Sequence, residues 1–254
     1  MLARALARPC AALALGARVR SRVGPIHRHV TTRVSTSDTR SNDADTSLVL
    51  FAPTLRATER VAAMLASDAG RGDVLCLHGE VGAGKSALSR AYVRAVCGDP
   101  YVEVPSPTFL LQQVYDDHCG ADTSTGPPPV HHFDLYRLTG PEDCDRLGLE
   151  ESFTAASSLI EWAERLGERC PGERLDVYIE ARAGVGEGAT AREMGAVVVE
   201  VKTSEEDDED DEDDELEDED ADPAFVDRKP RVIRLVPRGE AWRRRVDALA
   251  AKLS

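Results

Sequence analysis

Eight consecutive residues, Gly79-Glu80-Val81-Gly82-Ala83-Gly84-Lys85-Ser86, have the spacing G-x-x-x-x-G-K-[ST]. Each residue type answers a requirement of holding a chain of phosphates. Glycines let the backbone curl until successive N–H groups point inward at phosphate oxygens. The lysine carries positive charge to the β- and γ-phosphates, and the hydroxyl that follows can ligate the accompanying Mg2+. This P-loop pattern predicts that the chain binds a nucleoside triphosphate and Mg2+ through Gly79 to Ser86.

Other residues suit the chemistry of such a site. Two apolar runs end in an acid, His131-His132-Phe133-Asp134 and Ser158-Leu159-Ile160-Glu161. A carboxylate close to Mg2+ stays ionised and can hold a metal-bound water or orient the attacking one. Either acid could stand across the metal from Ser86, and an acid that only begins a turn is the ordinary alternative for each. Trp162, next to Glu161, either packs over the nucleotide or belongs to the core. Ser106 and Thr108 lie in Pro105-Ser106-Pro107-Thr108-Phe109, where two prolines hold the chain extended. Hydroxyls that sense a γ-phosphate are expected in such a loop. His131-His132 could suggest a metal site, but the sequence completes none, and the six scattered cysteines form no zinc pattern.

These residues need elements to carry them. Val74-Leu75-Cys76-Leu77-His78 reads as a buried strand feeding the P-loop, and Leu88, Ala91, Tyr92, Ala95 and Val96 recur at helical spacing after it, with Gly98 as the stop. Strand, loop and helix put the phosphates at a helix N-terminus, where unpaired N–H groups and the macrodipole favour anions. Before them, Ser47–Phe51 reads as a strand. A helix follows from Pro53 to about Ala66, with Leu55, Val61, Ala62 and Leu65 on one face. Further strands are expected at Tyr101–Val104, Leu110–Tyr115, Val130–Tyr136, Ser157–Ile160, Asp176–Ile179, Gly195–Val201 and Arg231–Val236. Pro141 suits the start of a short helix that Gly148 would end. A last helix carries Trp242, Val246, Leu249 and Leu253 on one stripe. The sum is one α/β P-loop NTPase domain, a mixed and mainly parallel sheet with helices on both faces. Val197–Val201 and Val232–Val236 are expected as neighbouring strands.

Composition marks two segments off from that domain. The first 37 residues contain no Asp or Glu and carry seven arginines, the composition of an organelle transit peptide, and residues 1–44 are read as such. Mitochondrion fits the arginine density best, with plastid as the alternative. Glu205–Asp222 has sixteen acidic residues among eighteen, a self-repelling block with nothing to bury. Residues 204–227 are therefore read as an acidic insertion, residues 45–203 as the ATPase domain and residues 228–254 as its completing strand and helix. The net charge of −15 owes most to that block; without it 31 basic residues face 30 acidic. Removing also the first 40 residues (eight Arg, one Asp) leaves 23 against 29, about −6. A domain so charged, with no basic stripe, is a poor tRNA binder by itself. No apolar run is long enough to span a bilayer.

Taken in order, GEVGAGKSALSR, VPSPTFLLQQVY, HHFDLYRLTGPEDCDRLGLEESF and SLIEWAERL resemble the TsaE (YjeE) family over roughly Leu50 to Glu180. The members are P-loop ATPases needed for the threonylcarbamoyladenosine modification of tRNA. The resemblance implies ATP as the nucleotide, held by Gly79, Glu80, Val81, Gly82, Ala83, Gly84 and Lys85, with Ser86 as an Mg2+ ligand. It implies that Glu161 is the second acid of the Mg2+ site and a catalytic residue, that Asp134 is the other functional acid, and that Trp162 lies near the nucleotide. Thr58 matches a threonine beside the adenine. Ser86 stands where the family usually has Thr, and Val81 where it usually has Leu; both changes are conservative. A nucleotide contact from Arg228 or Arg231 is left open, because the insertion divides this part of the chain. The implied partner is a TsaD-like transferase, with a TsaB-like subunit as a further candidate, and tRNA is met only through that assembly. The rivals are a small P-loop kinase, for which Arg137 and Arg146 are the only obvious lid arginines, and a nucleotide-gated scaffold without useful hydrolysis.

Overall fold

Val74, Leu75, Cys76 and Leu77 are all buried, as an uninterrupted apolar run should be in a parallel sheet covered on both faces. The computed structural model describes residues 47–116, 126–139, 141–182, 195–199 and 229–253. Within them the strands are β1 Leu48–Ala52, β2 Val74–His78, β3 Gln112–Tyr115, β4 Val130–Asp134, β5 Ser157–Glu161, β6 Arg174–Ala181, β7 Val197–Val198 and β8 Arg231–Arg238. They form one sheet in the order β3-β4-β5-β2-β6-β8-β1-β7. The central β4, β5, β2 and β6 are parallel. β3 and β8 run against their neighbours, and β7 runs parallel to β1. The sheet is mixed and mainly parallel, as the sequence pattern predicts.

Alternate residues of each strand face opposite sides. On one side Leu50, Leu75, Leu77, Leu175, Val177 and Ile233 pack against three helices, α1 Leu55–Ala66, α2 Lys85–Cys97 and the C-terminal helix Glu240–Leu253. On the other side Val74, Cys76, Phe133 and Ile160 meet Leu149 of α3 (Leu149–Ala155). The same cluster takes Cys144 and Leu166 from two 3-10 segments, Pro141–Arg146 and Ala163–Arg169. The C-terminal helix is α4, and it buries Trp242, Val246 and Leu253. Thr54 caps α1 by accepting from the Ala57 N–H at 3.1 Å, a contact worth about 1 kcal/mol.

Several expectations change. Val197–Val198 and β8 are not neighbours, because β1 lies between them, pairing five residues with β8 and two with β7. Tyr101–Val104 is not a strand; Arg94 and Arg90 of α2 donate to the Val102 and Val104 carbonyls and hold that segment against the helix. Gly148 is the left-handed residue before α3 rather than a helix stop. Leu55 points outward, since the helix begins there and turns Ala57, Val61 and Leu65 to the core. The transit-peptide reading of residues 1–44 and the acidic insertion at 204–227 lie outside the described residues, as do Arg228 and residues 200–201.

The topology brings three strand ends to one edge. Leu77 pairs with Glu161 across β2 and β5, and Glu161 pairs with Asp134 across β5 and β4. The P-loop begins two residues beyond Leu77, so both acids stand beside it.

Candidate nucleotide-binding site

The P-loop spans from the end of β2 to the first turn of α2. Two of its glycines are required by their surroundings. A Cβ on Gly79 would collide with the Ile179 carbonyl. Gly84 has φ +109, and a Cβ there would lie 2.5 Å from Arg231 Nε. Glu80, Val81 and Gly82 are exposed at the crest of the loop, and Ala83 is buried beneath it. Lys85, the first residue of α2, folds back over the loop. Its Nζ donates to the Gly79 and Glu80 carbonyls at 2.7 and 2.8 Å and sits 4.0 Å above the Trp162 ring. Burial lowers the affinity of Lys85 for its proton, against the pull of Glu161, Glu164 and Asp134.

Glu161, 2% exposed, is held on both oxygens. Ser86 donates to Oε2 at 2.9 Å, Ser89 donates to Oε1 at 3.2 Å, and His132 Nε2 lies 2.9 Å from Oε1. Ser86 and Ser89 are three apart on α2 and so share a face. This resolves which acid faces Ser86: it is Glu161. Two ligands at adjacent corners of an octahedral Mg2+, each about 2.1 Å from the ion, lie about 3 Å apart. The Ser86–Glu161 pair therefore fits that ion, and both donors are the hard oxygens it prefers.

Asp134, one strand over, is engaged elsewhere. Thr108 and Ser106 both donate to Oδ2, Ser106 at 3.3 Å, and the Tyr136 N–H donates to Oδ1 at 3.0 Å. The Ser106 and Thr108 hydroxyl oxygens lie 2.7 Å apart, so one of the two hydrogens is shared between its neighbour and the carboxylate. Asp134 thus fastens the Pro105–Phe109 loop to the sheet beside the site. Trp162 has φ 60, a left-handed conformation that a tryptophan adopts at a cost of about 1–2 kcal/mol. That turn brings its ring onto Lys85 and within 5.0 Å of the Tyr136 ring.

Thr58 stands apart from this group. It is fully buried in α1, and its hydroxyl turns back to the Thr54 carbonyl at 3.4 Å. His131 and His132 point to opposite faces of β4: His132 to Glu161, His131 to Ser152 at 2.9 Å. The pair therefore cannot act together on a metal. Among the described residues, no three of His, Cys, Asp and Glu gather to hold one.

Sequence reasoning missed Ser89 and His132 as partners of Glu161 and the bond from Arg231 Nε to the Ala83 carbonyl at 3.0 Å. Ser89 was within reach of a helical-spacing argument from Ser86. The others depend on strand pairing.

A family model described as threonylcarbamoyl adenosine biosynthesis protein TsaE matches residues 52–191. The tRNA threonylcarbamoyladenosine biosynthesis protein TsaE of Rickettsia conorii is 35% identical over 124 residues, 49% of this chain and 66% of the relative. That of Bacillus subtilis is 36% identical over 128 residues, 50% of this chain and 73% of the relative. The chain thus spans about two thirds of the length of these relatives. The crystal structure of Bacillus subtilis YdiB has a TM-score of 0.51 at 23% identity, over 81% of this chain and 95% of the other, a likeness of fold. The match covers the P-loop, the Ser106–Thr108 loop, Asp134 and Glu161-Trp162, and on that ground the chain belongs to the TsaE family.

Proposed function

We propose that this protein binds ATP with Mg2+ and hydrolyses it as the accessory ATPase of tRNA threonylcarbamoyladenosine formation. The observation that carries the reading is the Ser86–Glu161 contact, which joins the P-loop helix to the acid ending the neighbouring strand. The N–H groups of Gly79–Gly84 take the phosphates. Lys85 exchanges the Gly79 and Glu80 carbonyls for phosphate oxygens, which are stronger acceptors because they are charged. Ser86 and Glu161 hold Mg2+, which when bound neutralises charge on the phosphate oxygens. Ser89 and His132 fix the Glu161 carboxylate so that its orientation toward the metal and the attacking water is set in advance. Thr108 and Ser106, held by Asp134, are placed to report the state of the γ-phosphate to the loop. Val81 flanks the phosphates at the crest of the loop, Trp162 leans over them, and Thr58 supports the helix near the adenine.

A domain near −6 in charge supports leaving most of the tRNA contact to partners, a TsaD-like transferase and a TsaB-like subunit. The acid-free, arginine-bearing first 37 residues support delivery to an organelle, the mitochondrion first. Among the described residues no helix is long and apolar enough to cross a membrane.

The test combines the full chain with a TsaD-type transferase, a TsaB-like subunit, tRNA and ATP, and measures phosphate release and modified nucleoside together. The modification should continue over many turnovers only with the chain present and Lys85 intact. Modification that proceeds equally without the chain would refute the proposal, and ATP consumed by a metabolite acceptor would favour a kinase.

A further inference from the structure

Ala83 and Gly84 are joined at the inner bend of the P-loop, immediately before α2. Their shared peptide is planar and trans, so the Ala83 carbonyl and the Gly84 N–H must point in opposite directions. Arg231 reaches the loop from β8, and its Nε–H donates to that carbonyl at 3.0 Å. We propose that Arg231 is a positioning residue of the nucleotide site, which holds the Ala83 carbonyl outward and thereby aims the Gly84 N–H into the loop. The inference rests on the reading of Gly79–Ser86 as a triphosphate cradle.

The rest of the geometry suits that task. A glycine peptide rotates easily, and a reversed Ala83–Gly84 peptide would turn an oxygen toward the phosphates where a donor is needed. The group that prevents this is itself anchored. Arg231 is 3% exposed, its backbone pairs with Ala52 of β1 on one side and Ala181 of β6 on the other, and its Nη1 donates to the Lys229 carbonyl at 3.0 Å. Gly84 makes the approach feasible, since any side chain there would meet the guanidinium. A lysine could supply the charge but not the planar Nε–H directed at the carbonyl. Arg231 lies outside residues 52–191, so the site is completed by a residue beyond the family-matched stretch. It follows the acidic run Glu205–Asp222 by nine residues, which makes the strand after that run part of the ATP site.

The experiment uses the isotope-labelled full chain, with Mg-ADP as the probe for NMR and ATP for kinetics. In the wild type, the Arg231 Nε–H should be protected from exchange, and the Gly84 amide proton should shift downfield on adding Mg-ADP. Arg231→Met and Arg231→Lys should each lose most of that shift. Their KM for ATP should rise roughly tenfold or more while kcat changes less than about threefold, the pattern of lost ground-state positioning. A folded variant with the wild-type Gly84 shift and KM would overturn the proposal. So would a wild-type Arg231 Nε–H that exchanges as fast as an exposed guanidinium, a result that needs no variant to fold. If the wild type bound no nucleotide, the cradle itself would fall and the inference with it. Failure of Arg231 alone leaves wild-type binding, and its loss in Lys85→Ala, intact.

Discussion

Ser86 donates its hydroxyl hydrogen to Glu161 Oε2 at 2.9 Å, across a separation of 75 residues in the chain. The contact occurs because β2 and β5 are parallel neighbours, so the helix after one strand and the acid ending the other meet at the same edge. Removing the hydroxyl takes away one metal ligand and one donor to a buried carboxylate. Ser86→Ala should weaken Mg2+-dependent ATP binding by about 1.5–3 kcal/mol, the cost of a hydrogen bond to a charged group. Ser86→Thr should bind as the parent does. Calorimetric titration with and without Mg2+ distinguishes these outcomes, and equal binding by all three proteins would exclude the role.

Lys85 rests 4.0 Å above Trp162, and on the proposed reading the phosphates would draw it away. The emission of Trp162 should therefore change when Mg-ATP is added. Trp242, the other tryptophan, lies on α4 under Arg245 and should not report binding. Trp242→Phe should retain the emission change and Trp162→Phe should lose it in a fluorescence titration. An unchanged signal in Trp162→Phe would contradict the placement.

Asp176 is buried on β6 between Arg174, at 2.7 Å, and Arg238, at 2.9 Å. Burial works against its charge, but the nearby His78 ring, Nε2 at 3.5 Å, and the hydrogen bonds from Arg174 and Arg238 outweigh it and hold the carboxyl well below its usual range. A carboxyl depressed by folding contributes stability above its unfolded value, near pH 4, and that stability drains away as the pH falls toward the folded value. Asp176→Asn should cost about 2–3 kcal/mol at neutral pH by denaturant unfolding. The loss should stay below that of a fully buried pair, because the arginines are 22% and 28% exposed. The variant should also lose less stability than the parent between about pH 5 and pH 3. Parallel pH profiles would contradict this.

Much of the site was legible because its logic is local. Strand, loop and helix around Gly79–Ser86 are consecutive, and Asp134 and Glu161 announce themselves by ending apolar runs. What was not legible arises from pairing between distant segments. β7 and β8 were expected together because they follow one another, yet β1 separates them. Tyr101–Val104 has strand composition, but its carbonyls are taken by Arg90 and Arg94. Arg231 starts an apolar strand, and its contact stays open until β8 is seen to begin beside the P-loop.

Cys76 and Cys170 face each other with sulfurs 3.8 Å apart on the underside of the P-loop strand. The hydrogen bond from the Cys76 thiol lowers Cys170 to about 7 despite partial burial, with Arg174 and His78 adding to the effect. Above that pH Cys170 is the thiolate, while the same contact and then burial keep Cys76 protonated. Alkylation of Cys170 by iodoacetamide, followed by peptide mass spectrometry, should rise with a midpoint near pH 7. In Cys76→Ala the midpoint should move upward. A parent midpoint at the ordinary thiol value would refute the assignment.

The central claim is that the P-loop holds ATP while Glu161 serves its hydrolysis. Its most direct test measures nucleotide affinity and single-turnover phosphate release on the same full-length samples of parent, Lys85→Ala and Glu161→Ala, with the transferase partner present. Lys85→Ala should lose both properties. Glu161→Ala should lose at least as much Mg-ATP affinity as Ser86→Ala, since each removes one Mg2+ ligand, and at saturating ATP should still release phosphate at least about a hundredfold more slowly than the parent, the scale on which a single fixed catalytic group acts. Phosphate release by Glu161→Ala at the parent's rate once ATP is saturating, or ATP binding untouched by Lys85→Ala, would contradict the account.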